Sequence, residues 1–496
     1  MSLLLGVDVG TSSTKGVLVR ADGTVAARAQ VPHDVSSPHP GWFEHDAEGV
    51  WWRDFLAVVG ELTAAADAPL AGLAISGIGP CLLPVGDGRP LRPAILYGVD
   101  SRATAEIGEL DGAIGADAII ERCGSRLTTQ AVGPKMLWLR RHEPEVWEAT
   151  QRFFMASSYL VHRLTGVYVL DHHSASQCTP LYDVRTNTWI PEWAEEVAPG
   201  LELPPLHWSD EVVGEITDEA SRATGLPAGL PVTAGTIDAW AEAESAGVRA
   251  PGDVMVMYGT TMFMVGLVED LVPSDRLWGT AGLRPGLSCA AAGMATSGSV
   301  TTWIRDLVGD DYTTLTEEAR AVPAGSEGLL MLPYFAGERT PLFDDRARGL
   351  LLGLTLDHRR GHVYRASLEA VACGVRHNLE AMRDSGVPVE RLVAVGGGTT
   401  GGLWMQIVSD ATGLAQDVPR ETIGASYGDA MLAAAATATV STDDVAAWNP
   451  VVERIEPDPT TRGIYDQLYT LYIDAYPRNA EAMHRLADMA HTSQIS

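Results

Sequence analysis

The chain has 496 residues, of which 46% are hydrophobic and 20% are charged, a composition typical of a globular protein with more than one core. Its net charge of −29 argues against nucleic acid and anionic membranes as partners, because both are negatively charged. No apolar run approaches the ~20 residues of a membrane span, and the start, MSLLLGVDVG, lacks the basic segment of a signal peptide. We therefore expect a cytoplasmic protein of two or three domains.

The cysteines and lysines are both unusual in their distribution. Five cysteines are scattered singly, without the paired spacing of a zinc site, so neither disulfides nor zinc are predicted. Only Lys15 and Lys135 are lysines, and every other basic residue is an arginine. Because the two cations interchange easily on a surface, a lysine in this chain favours a site that needs a compact ammonium group.

The chain opens with a predicted β-hairpin whose turn is rich in glycine and hydroxyl groups. Apolar runs at 3–7 and 16–19 flank Asp8 and the turn Gly10-Thr11-Ser12, and a third strand is predicted over 25–31. Glycine lets backbone N–H groups converge on an anion, and a neighbouring carboxylate tolerates phosphate when Mg²⁺ lies between them. The turn is interpreted as a Mg·nucleotide phosphate loop. The alternative is an ordinary tight hairpin with a capping aspartate.

Two strand ends in the first hundred residues are rich in turn and polar residues. A strand predicted over 70–77 ends at the turn Gly79-Pro80-Cys81, and a strand over 93–97 ends shortly before Asp100 and Arg102. Ligands in α/β proteins favour the C-terminal ends of strands, so these segments are predicted to form one rim of a pocket. The alternative is a solvated loop.

An aspartate stands where a later strand meets a helix. The strand predicted over 230–236 breaks at Gly235, and a helix over 239–246 follows Asp238. Taken by itself, an aspartate at a helix start is more often an N-cap than a catalytic group. The N-cap interpretation is therefore the simpler one from these residues alone.

The strand–turn–strand pattern recurs about half a chain length later. Residues 253–267 contain the turn Gly259-Thr260 between two apolar runs. A repeated phosphate hairpin predicts two similar domains around one nucleotide, and the predicted division is 1–247 and 248–496, with the joint at 247–252.

A third glycine-rich turn lies further on in the second half. A strand over 392–395 runs into Gly396, Gly397, Gly398 and Thr399, and a helix over 403–412 ends at a glycine. Three glycines between strand and helix allow a nucleoside or its phosphates to approach the backbone. The P-loop pattern GxxxxGK[ST] is absent, so a P-loop fold is not supported.

Several of these segments together resemble the FGGY family of carbohydrate kinases, and within it most closely the xylulose kinases. The resemblance covers residues 3–440 and implies an α/β fold of two actin-like, ribonuclease H-like ATPase domains that face each other across an active-site cleft. The segments that carry it are GVDVGTSSTK (6–15), PGWFEHD (40–46), GPKMLWL (133–139), AGTIDAWAEAESAGV (234–248), MYGTTMF (257–263), LPYFAGERTPLFDDRARG (332–349) and VGGGTTGGLWMQIVSDATG (395–413).

The resemblance implies transfer of the γ-phosphoryl group of ATP, with Mg²⁺ as the metal, to a hydroxyl of a sugar or polyol. By matching position, Asp238 would be the general base on that hydroxyl, and Asp8 with Asp238 would orient the metal. This implication replaces the N-cap interpretation of Asp238. The residues expected to hold the nucleotide are Gly10, Thr11, Ser12, Lys15, Gly259, Thr260, Gly397, Gly398 and Thr399.

The sugar side departs from the family pattern. Xylulose kinases carry Gln-Met-His-Gly where this chain has the segment 78–81, and the Arg-Glu pair of glycerol kinases is also absent. The family implies a ketose such as xylulose or a relative, whereas these departures favour another pentulose, a polyol or glycerol, because changed polar groups discriminate strongly between hydroxyl patterns. The residues expected to line the sugar site are Gly79, Pro80, Cys81, Tyr97, Asp100, Arg102, Gln130 and Asp238.

Two other functions would be compatible with the same fold. A chaperone-type ATPase would need a long peptide-binding region, and only a short segment follows residue 440. A non-catalytic sugar sensor would not need Asp8, Asp238 and both Gly-Thr turns. The expected partner is a small-molecule sugar or polyol, and the chain is compatible with a homodimer.

Overall fold

Most of the long apolar runs become strands in the structure, a computed structural model that describes residues 2–495. The described residues form two compact units, each assembled from separate stretches of the chain. The first comprises Met1–Arg249, Val268–Cys289 and Ile423–Pro450. The second comprises Ala250–Leu267, Ala290–Thr422 and Val451–Ser496. The predicted division at residue 247 lies close to the first change of unit, and as a boundary between folding domains it stays a prediction.

The strands are numbered here in chain order. They are β1 (Leu3–Val9), β2 (Ser13–Arg20), β3 (Val25–Pro32), β4 (Glu44–His45), β5 (Leu70–Gly77), β6 (Leu83–Gly86), β7 (Arg89–Pro90), β8 (Ala94–Ile95), β9 (Arg152–Phe154), β10 (Leu170–Asp171), β11 (Tyr182–Asp183), β12 (Thr188–Trp189), β13 (Leu206–His207), β14 (Val212–Glu215), β15 (Pro231–Thr233), β16 (Thr236–Ile237), β17 (Asp253–Tyr258), β18 (Met262–Val268), β19 (Trp278–Ala281), β20 (Ser288–Met294), β21 (Leu330–Leu332), β22 (Leu350–Leu352), β23 (Arg391–Val395), β24 (Gln416–Pro419) and β25 (Val451–Ile455).

The helices are numbered in the same way. They are α1 (Arg53–Ala65), α2 (Thr104–Leu110), α3 (Ala116–Cys123), α4 (Val132–His142), α5 (Pro144–Ala149), α6 (Ala156–Thr165), α7 (His172–Ser176), α8 (Pro191–Val197), α9 (Asp218–Thr224), α10 (Asp238–Ser245), α11 (Gly298–Val308), α12 (Tyr312–Ala321), α13 (Arg360–Asp384), α14 (Leu403–Thr412), α15 (Ala425–Ala436), α16 (Thr442–Ala446) and α17 (Arg462–Ile495). Within the described part of the chain, no helix is both long and apolar enough to cross a membrane.

The first unit is built on a sheet with the strand order β14-β15-β5-β1-β2-β3, and β16 also pairs with β5. Strand β1 is antiparallel to β2 and parallel to β5, and all seven of its residues are buried. A strand that is covered on both faces consists almost entirely of apolar residues, which is why LLLGVDV contains a single charged residue. The predicted hairpin is confirmed, and its register sets Asp8 opposite Lys15.

The second unit repeats this arrangement. Strand β17 is antiparallel to β18 and parallel to β23, as β1 is to β2 and β5. The predicted strand–turn–strand repeat is therefore confirmed. The parallel register sets Met257 beside Val395, so the turns that follow β17 and β23 emerge at the same edge of the sheet.

Two predicted strands are shorter in the structure than the sequence indicated. The strand predicted over 93–97 is only β8, because Pro93 lacks the N–H group of a central strand and the residues after β8 enter a loop. The strand predicted over 230–236 is divided into β15 and β16. Gly235 separates them with a φ of +79°, a backbone conformation that the predicted break anticipated.

Helices α10 and α15 of the first unit pack very closely, and one glycine permits this. A Cβ built on Gly428 would lie 1.8 Å from the carbonyl oxygen of Ala241. We expect Gly428→Ala to lower Tm by roughly 5 °C or more, because the two backbones would have to separate. Gly60 in α1 is the matched control, since a Cβ there meets nothing within 4 Å.

We expect Gly60→Ala to leave Tm unchanged or to raise it slightly, because alanine is the better helix former by about 0.5–1 kcal/mol. Thermal unfolding of both variants measures the difference. Equal shifts in the two variants would contradict the close helix contact.

Candidate active site

The central feature of the first unit is a group of buried carboxylates. Asp8 lies near the end of β1 beside Ser76 of β5, and Asp238 is the first residue of α10. Burial raises the pKa of Asp8 to about 6, although Lys15, the Ser76 hydroxyl and His33 oppose the rise. Burial, followed by the negative charge on Asp8, raises the pKa of Asp238 well above its usual range. The structure therefore brings the two predicted metal and catalytic carboxylates into electrostatic contact.

The N-cap interpretation of Asp238 is wrong. Ile237 occupies the N-cap position, and Asp238 is already helical. Its Oδ1 accepts a hydrogen bond of 2.7 Å from the backbone N–H of Ala239, not from a residue two or three positions on. The rest of the carboxylate is therefore not used in capping the helix.

Two further acids in this group were not predicted from the sequence. Glu242 follows Asp238 by one turn of α10, and burial and the charge on Asp8 raise its pKa to about 7. Asp429 of α15 is completely buried and accepts from the backbone N–H of Ser76 at 3.1 Å and from its hydroxyl at 2.7 Å. Its Oδ1 has no hydrogen-bond partner among the described residues. The available signal was an acid inside the alanine-rich stretch ASYGDAMLAAAA.

The group of carboxylates fits a divalent cation. Asp8, Asp238, Glu242 and Asp429 present hard oxygen ligands, and the positive charge of Lys15 opposes the rise in the pKa of the first three. Among the residues that the structure describes, no three His, Cys, Asp or Glu side chains form a ready-made chelate. Mg²⁺ commonly binds one or two carboxylates and completes its shell with water and phosphate oxygens, so Asp8 and Asp238 would suffice to hold it.

The first glycine turn follows β1 directly. Gly10 donates its backbone N–H to the carbonyl of Ser13 at 3.0 Å, which closes the turn, and Ser12 is exposed. His33 contacts two carbonyl groups of this turn. Its backbone N–H donates to the carbonyl of Ser12 at 2.9 Å, and its ring Nε2 lies 3.1 Å from the carbonyl oxygen of Gly10. Sequence reasoning missed His33, because nothing in the local pattern relates residue 33 to residue 10.

The second unit contains a cavity of about 470 Å³ at the ends of β17 and β23. Four of the predicted nucleotide residues, Gly259, Thr260, Gly397 and Gly398, line this cavity together with aromatic side chains that were not predicted. A Cβ on Gly398 would come 2.9 Å from both Trp404 and Tyr258, so only glycine fits there. The aromatic lining residues are Tyr258, Tyr312, Tyr364 and Trp404.

Thr399 does not line this cavity. Its hydroxyl donates to the carbonyl of Gly396 at 2.8 Å and so stabilises the glycine turn internally. Helix α11 supports the other turn, because the N–H of Gly298 donates to the carbonyl of Gly259 at 3.0 Å and the N–H groups of Ser297 and Ser299 donate to Thr260. The N-terminal end of α11 thus borders the cavity, and its first N–H groups hold the carbonyls of the turn Gly259-Thr260.

The predicted sugar segments lie near the start of α10. A Cβ on Gly79 would come 2.6 Å from Ile237, the residue before Asp238. Cys81 is fully buried and donates to the carbonyl of Ile78, and burial raises the pKa of its thiol, with Asp238 adding to the rise. Pro80 lies between them and is buried as well. The structure therefore brings this segment close to the predicted base.

The second sugar segment is held by side-chain contacts of its own. Gln130 accepts from the backbone N–H of Gly98 at 2.6 Å, next to the half-buried Tyr97. The ammonium of Lys135 donates to the carbonyl of Thr129 at 2.6 Å. Burial lowers the pKa of Lys135 to about 8, and the charge on Asp100 opposes this. Lys135 is thus a buried cation beside the predicted sugar segments.

Asp100 and Arg102 are engaged with each other. Asp100 accepts from the backbone N–H of Phe43 at 2.7 Å and from the Arg102 guanidinium at 2.8 Å. The side chain of Arg102 is fully buried, pairs also with Glu44 at 2.8 Å and lies 4.1 Å from the ring centre of Trp42. These contacts stabilise the loop between β8 and α2.

Comparison with known proteins gives matches along nearly the whole chain. Residues 3–243 match the model of the FGGY family of carbohydrate kinases, N-terminal domain, and residues 254–437 match that of the C-terminal domain. A xylulose kinase from Staphylococcus xylosus is 24% identical over 487 residues, which cover 96% of this chain and 100% of that protein. A glycerol kinase from Nocardia farcinica is 31% identical over 497 residues, which cover 90% of this chain and 97% of that protein.

Solved structures agree with the sequence matches. The crystal structure of xylulose kinase from Rhodospirillum rubrum has a TM-score of 0.90 to this chain at 35% identity, and covers 97% of this chain and 100% of its own. The predicted α/β fold of two actin-like domains is confirmed by this likeness.

We expect Arg102→Lys to lower Tm by roughly 5 °C or more, because a lysine cannot bridge the two buried carboxylates of Asp100 and Glu44 and one of them loses its charge-assisted hydrogen bonds to residue 102. Thermal unfolding measures the loss. Arg89, which is exposed on β7, is the matched control, and Arg89→Lys should leave Tm unchanged. A normal Tm with a raised KM for the sugar would instead indicate that Arg102 contacts the substrate directly.

Proposed function

The chain belongs to the FGGY family of carbohydrate kinases, which transfer phosphoryl groups from ATP to alcohol acceptors, and we propose that it phosphorylates a small sugar or polyol with Asp238 as general base. The observation that carries the proposal is the proximity of the Asp8 and Asp238 carboxylates, next to the turn Gly10-Thr11-Ser12. Phosphoryl transfer needs positioning, charge neutralisation and one proton acceptor, and this group of residues can supply all three.

Asp238 suits the role of proton acceptor. Burial and Asp8 raise its pKa, and a carboxylate with a raised pKa is the stronger base. Its Oδ1 is bound to the N–H of Ala239, which fixes the orientation of the carboxylate and leaves the second oxygen for a sugar hydroxyl. Mg²⁺, when bound, would neutralise charge on the phosphates, and Asp8 together with Asp238 would hold it.

The nucleotide contacts follow from the two glycine-rich regions. We propose that the first turn, with Lys15 beside it, binds phosphate oxygens through backbone N–H groups and the ammonium. The cavity of the second unit would hold the adenosine against its aromatic side chains, with Gly259 and Thr260 near the phosphates. Gly397 and Gly398 leave space for the nucleoside because they carry no side chain.

The substrate is proposed to be a ketose such as xylulose or a relative, with another pentulose, a polyol or glycerol as the alternative. The relatives support both, since proteins named xylulose kinase and glycerol kinase each match nearly the whole chain. The buried segment 78–81 offers a thiol and backbone groups in place of the Met and His of xylulose kinases. The hydroxyl pattern that it recognises should therefore differ.

We expect Asp238→Asn to lower kcat by ~10²–10⁴-fold, because an amide cannot accept the proton of the sugar hydroxyl. Binding of sugar and nucleotide should change little, since Asn can still hydrogen-bond the hydroxyl. A coupled ADP-release assay with MgATP measures kcat and KM. Asp218 is the matched control, because it is also the first residue of a helix and has no proposed role.

Asp218→Asn should leave kcat unchanged. Near-normal turnover of Asp238→Asn on the best substrate would remove the catalytic assignment.

We expect D-xylulose to give a lower kcat/KM than another polyhydroxy compound, because the Met-His pair is missing from segment 78–81. The same assay over ketoses, aldoses, alditols and sugar acids provides the ranking. ADP release without any added sugar is the control, and it should be near background. The highest kcat/KM on D-xylulose would contradict the expectation, and sugar-independent ADP release would favour a chaperone-type ATPase.

A further inference from the structure

A buried histidine stands behind the first glycine turn with an oxygen at each ring nitrogen. His33 directly follows β3, and its side chain is 1% exposed. Its Nδ1 lies 2.8 Å from Oδ2 of Asp54, and its Nε2 lies 3.1 Å from the carbonyl oxygen of Gly10. The Asp54 side chain is completely buried in the first turn of α1, and its Oδ1 accepts from Nε of Arg53 at 2.8 Å.

These partners determine how many protons the ring carries. A neutral imidazole has one N–H donor and one lone pair, whereas a carbonyl oxygen and an ionised carboxylate can only accept. In a neutral His33 ring, the lone pair of the unprotonated nitrogen would therefore face a lone pair of one of these two oxygens. The doubly protonated ring satisfies both oxygens, and it adds a buried cation at Oδ2 of Asp54 to the half-exposed Arg53 guanidinium, which binds Oδ1.

The neighbouring histidine shows the opposite pattern. Nδ1 of His45 lies 3.0 Å from the indole Nε1 of Trp51, which can only donate, so this nitrogen carries no proton. The rings of His45 and His33 meet edge to face at 5.1 Å. Burial, with a positive charge on His33 next in importance, lowers the pKa of His45 to about 4. The two adjacent histidines thus have different partners, namely two oxygens at the ring nitrogens of His33 and an N–H donor at Nδ1 of His45.

The contacts of His33 also orient the peptide groups of the turn. In a trans peptide the C=O and the following N–H point in opposite directions. His33 holds the carbonyl of Gly10 with its ring and the carbonyl of Ser12 with its backbone N–H. The N–H groups of Thr11 and Ser13 therefore point away from His33, which is the arrangement of an anion-binding turn.

We propose that His33 is a positioning residue for the nucleotide phosphates, which in its doubly protonated form holds the turn Gly10-Thr11-Ser12 from behind, with Asp54 as its counter-charge. The inference rests on the proposed function in one respect, namely that this turn binds phosphate. It adds a residue that does not itself contact the nucleotide, and it assigns that residue a charge.

The variants separate the hydrogen bond from the charge. His33→Ala removes both and should raise the Kd for MgADP by about tenfold, the order expected when a hydrogen bond to a charged group is lost. Asp54→Asn lets the amide donate to Nδ1, so the ring becomes neutral and keeps its Nε2–H bond to Gly10. Its Kd should rise by less than that of His33→Ala. Calorimetric titration with MgADP measures both.

The matched control is another histidine–aspartate pair. His484 lies 2.7 Å from Asp344, neither residue lines the cavity of the second unit, and His484→Gln should leave the Kd unchanged. Thermal unfolding accompanies each titration. If His33→Ala does not fold, His33→Gln, which keeps a donor without the charge, replaces it in the comparison.

Nitrogen NMR of the histidine-labelled protein at neutral pH tests the charge without any ligand. We expect two protonated ring nitrogens for His33, identified by its absence in His33→Gln, and one for His45. In Asp54→Asn, His33 should show one. A single protonated nitrogen for His33 in the unaltered chain, or a Kd for folded His33→Ala equal to that of the unaltered chain, would overturn the inference. Absence of any MgADP binding to the unaltered chain would contradict the proposed function instead.

Discussion

Burying several like charges in one place is the constraint on which the first unit depends. Asp8, Asp238 and Asp429 repel one another and are removed from water, so each carboxyl has a raised pKa. The sheet and two helices keep them together, because β1 is buried along its whole length and α15 packs against it at Gly6, where a Cβ would lie 1.9 Å from a carbonyl oxygen. A rigid scaffold of this kind can hold charges that would separate in solution, and their repulsion raises the affinity of these carboxylates for a proton.

The two halves of the chain repeat a strand–turn–strand element, yet they support the turn by different means. In the first unit a charged histidine and its buried aspartate lie behind Gly10. In the second unit the N-terminal end of α11 donates its backbone N–H groups to the carbonyls of Gly259 and Thr260. Either kind of support holds carbonyl groups on one side of the turn, so that N–H groups of the turn face the opposite side. The same local sequence, glycine followed by hydroxyl residues, can therefore serve in both units although the residues around it differ.

Much of the fold and part of the site could be predicted from the sequence, because the relevant signals are local. The hairpins at 3–20 and 253–268, the break at Gly235 and the helix over 403–412 depend on apolar periodicity and on glycines within a few residues of each other. Asp238 was identified by its motif, although its local surroundings suggested a helix cap. The strand expected over 93–97 proved much shorter, since Pro93 lacks the N–H group of a central strand and the residues after β8 enter a loop that Asp100 and Arg102 tie to Phe43 and Glu44.

By itself the sequence determined the family, the two repeated glycine turns and the identity of the proposed base, because each is carried by contiguous residues. Only the tertiary structure decided which side chains surround them. Asp429 meets Ser76 across 353 positions of the chain, and His33 meets Asp54 across 21. No periodicity or spacing relates such residues, since their proximity arises when α15 and α1 pack on the sheet. The protonation state of a buried group also depends on the tertiary structure, because it is determined by whether the atoms packed against the group donate or accept hydrogen bonds.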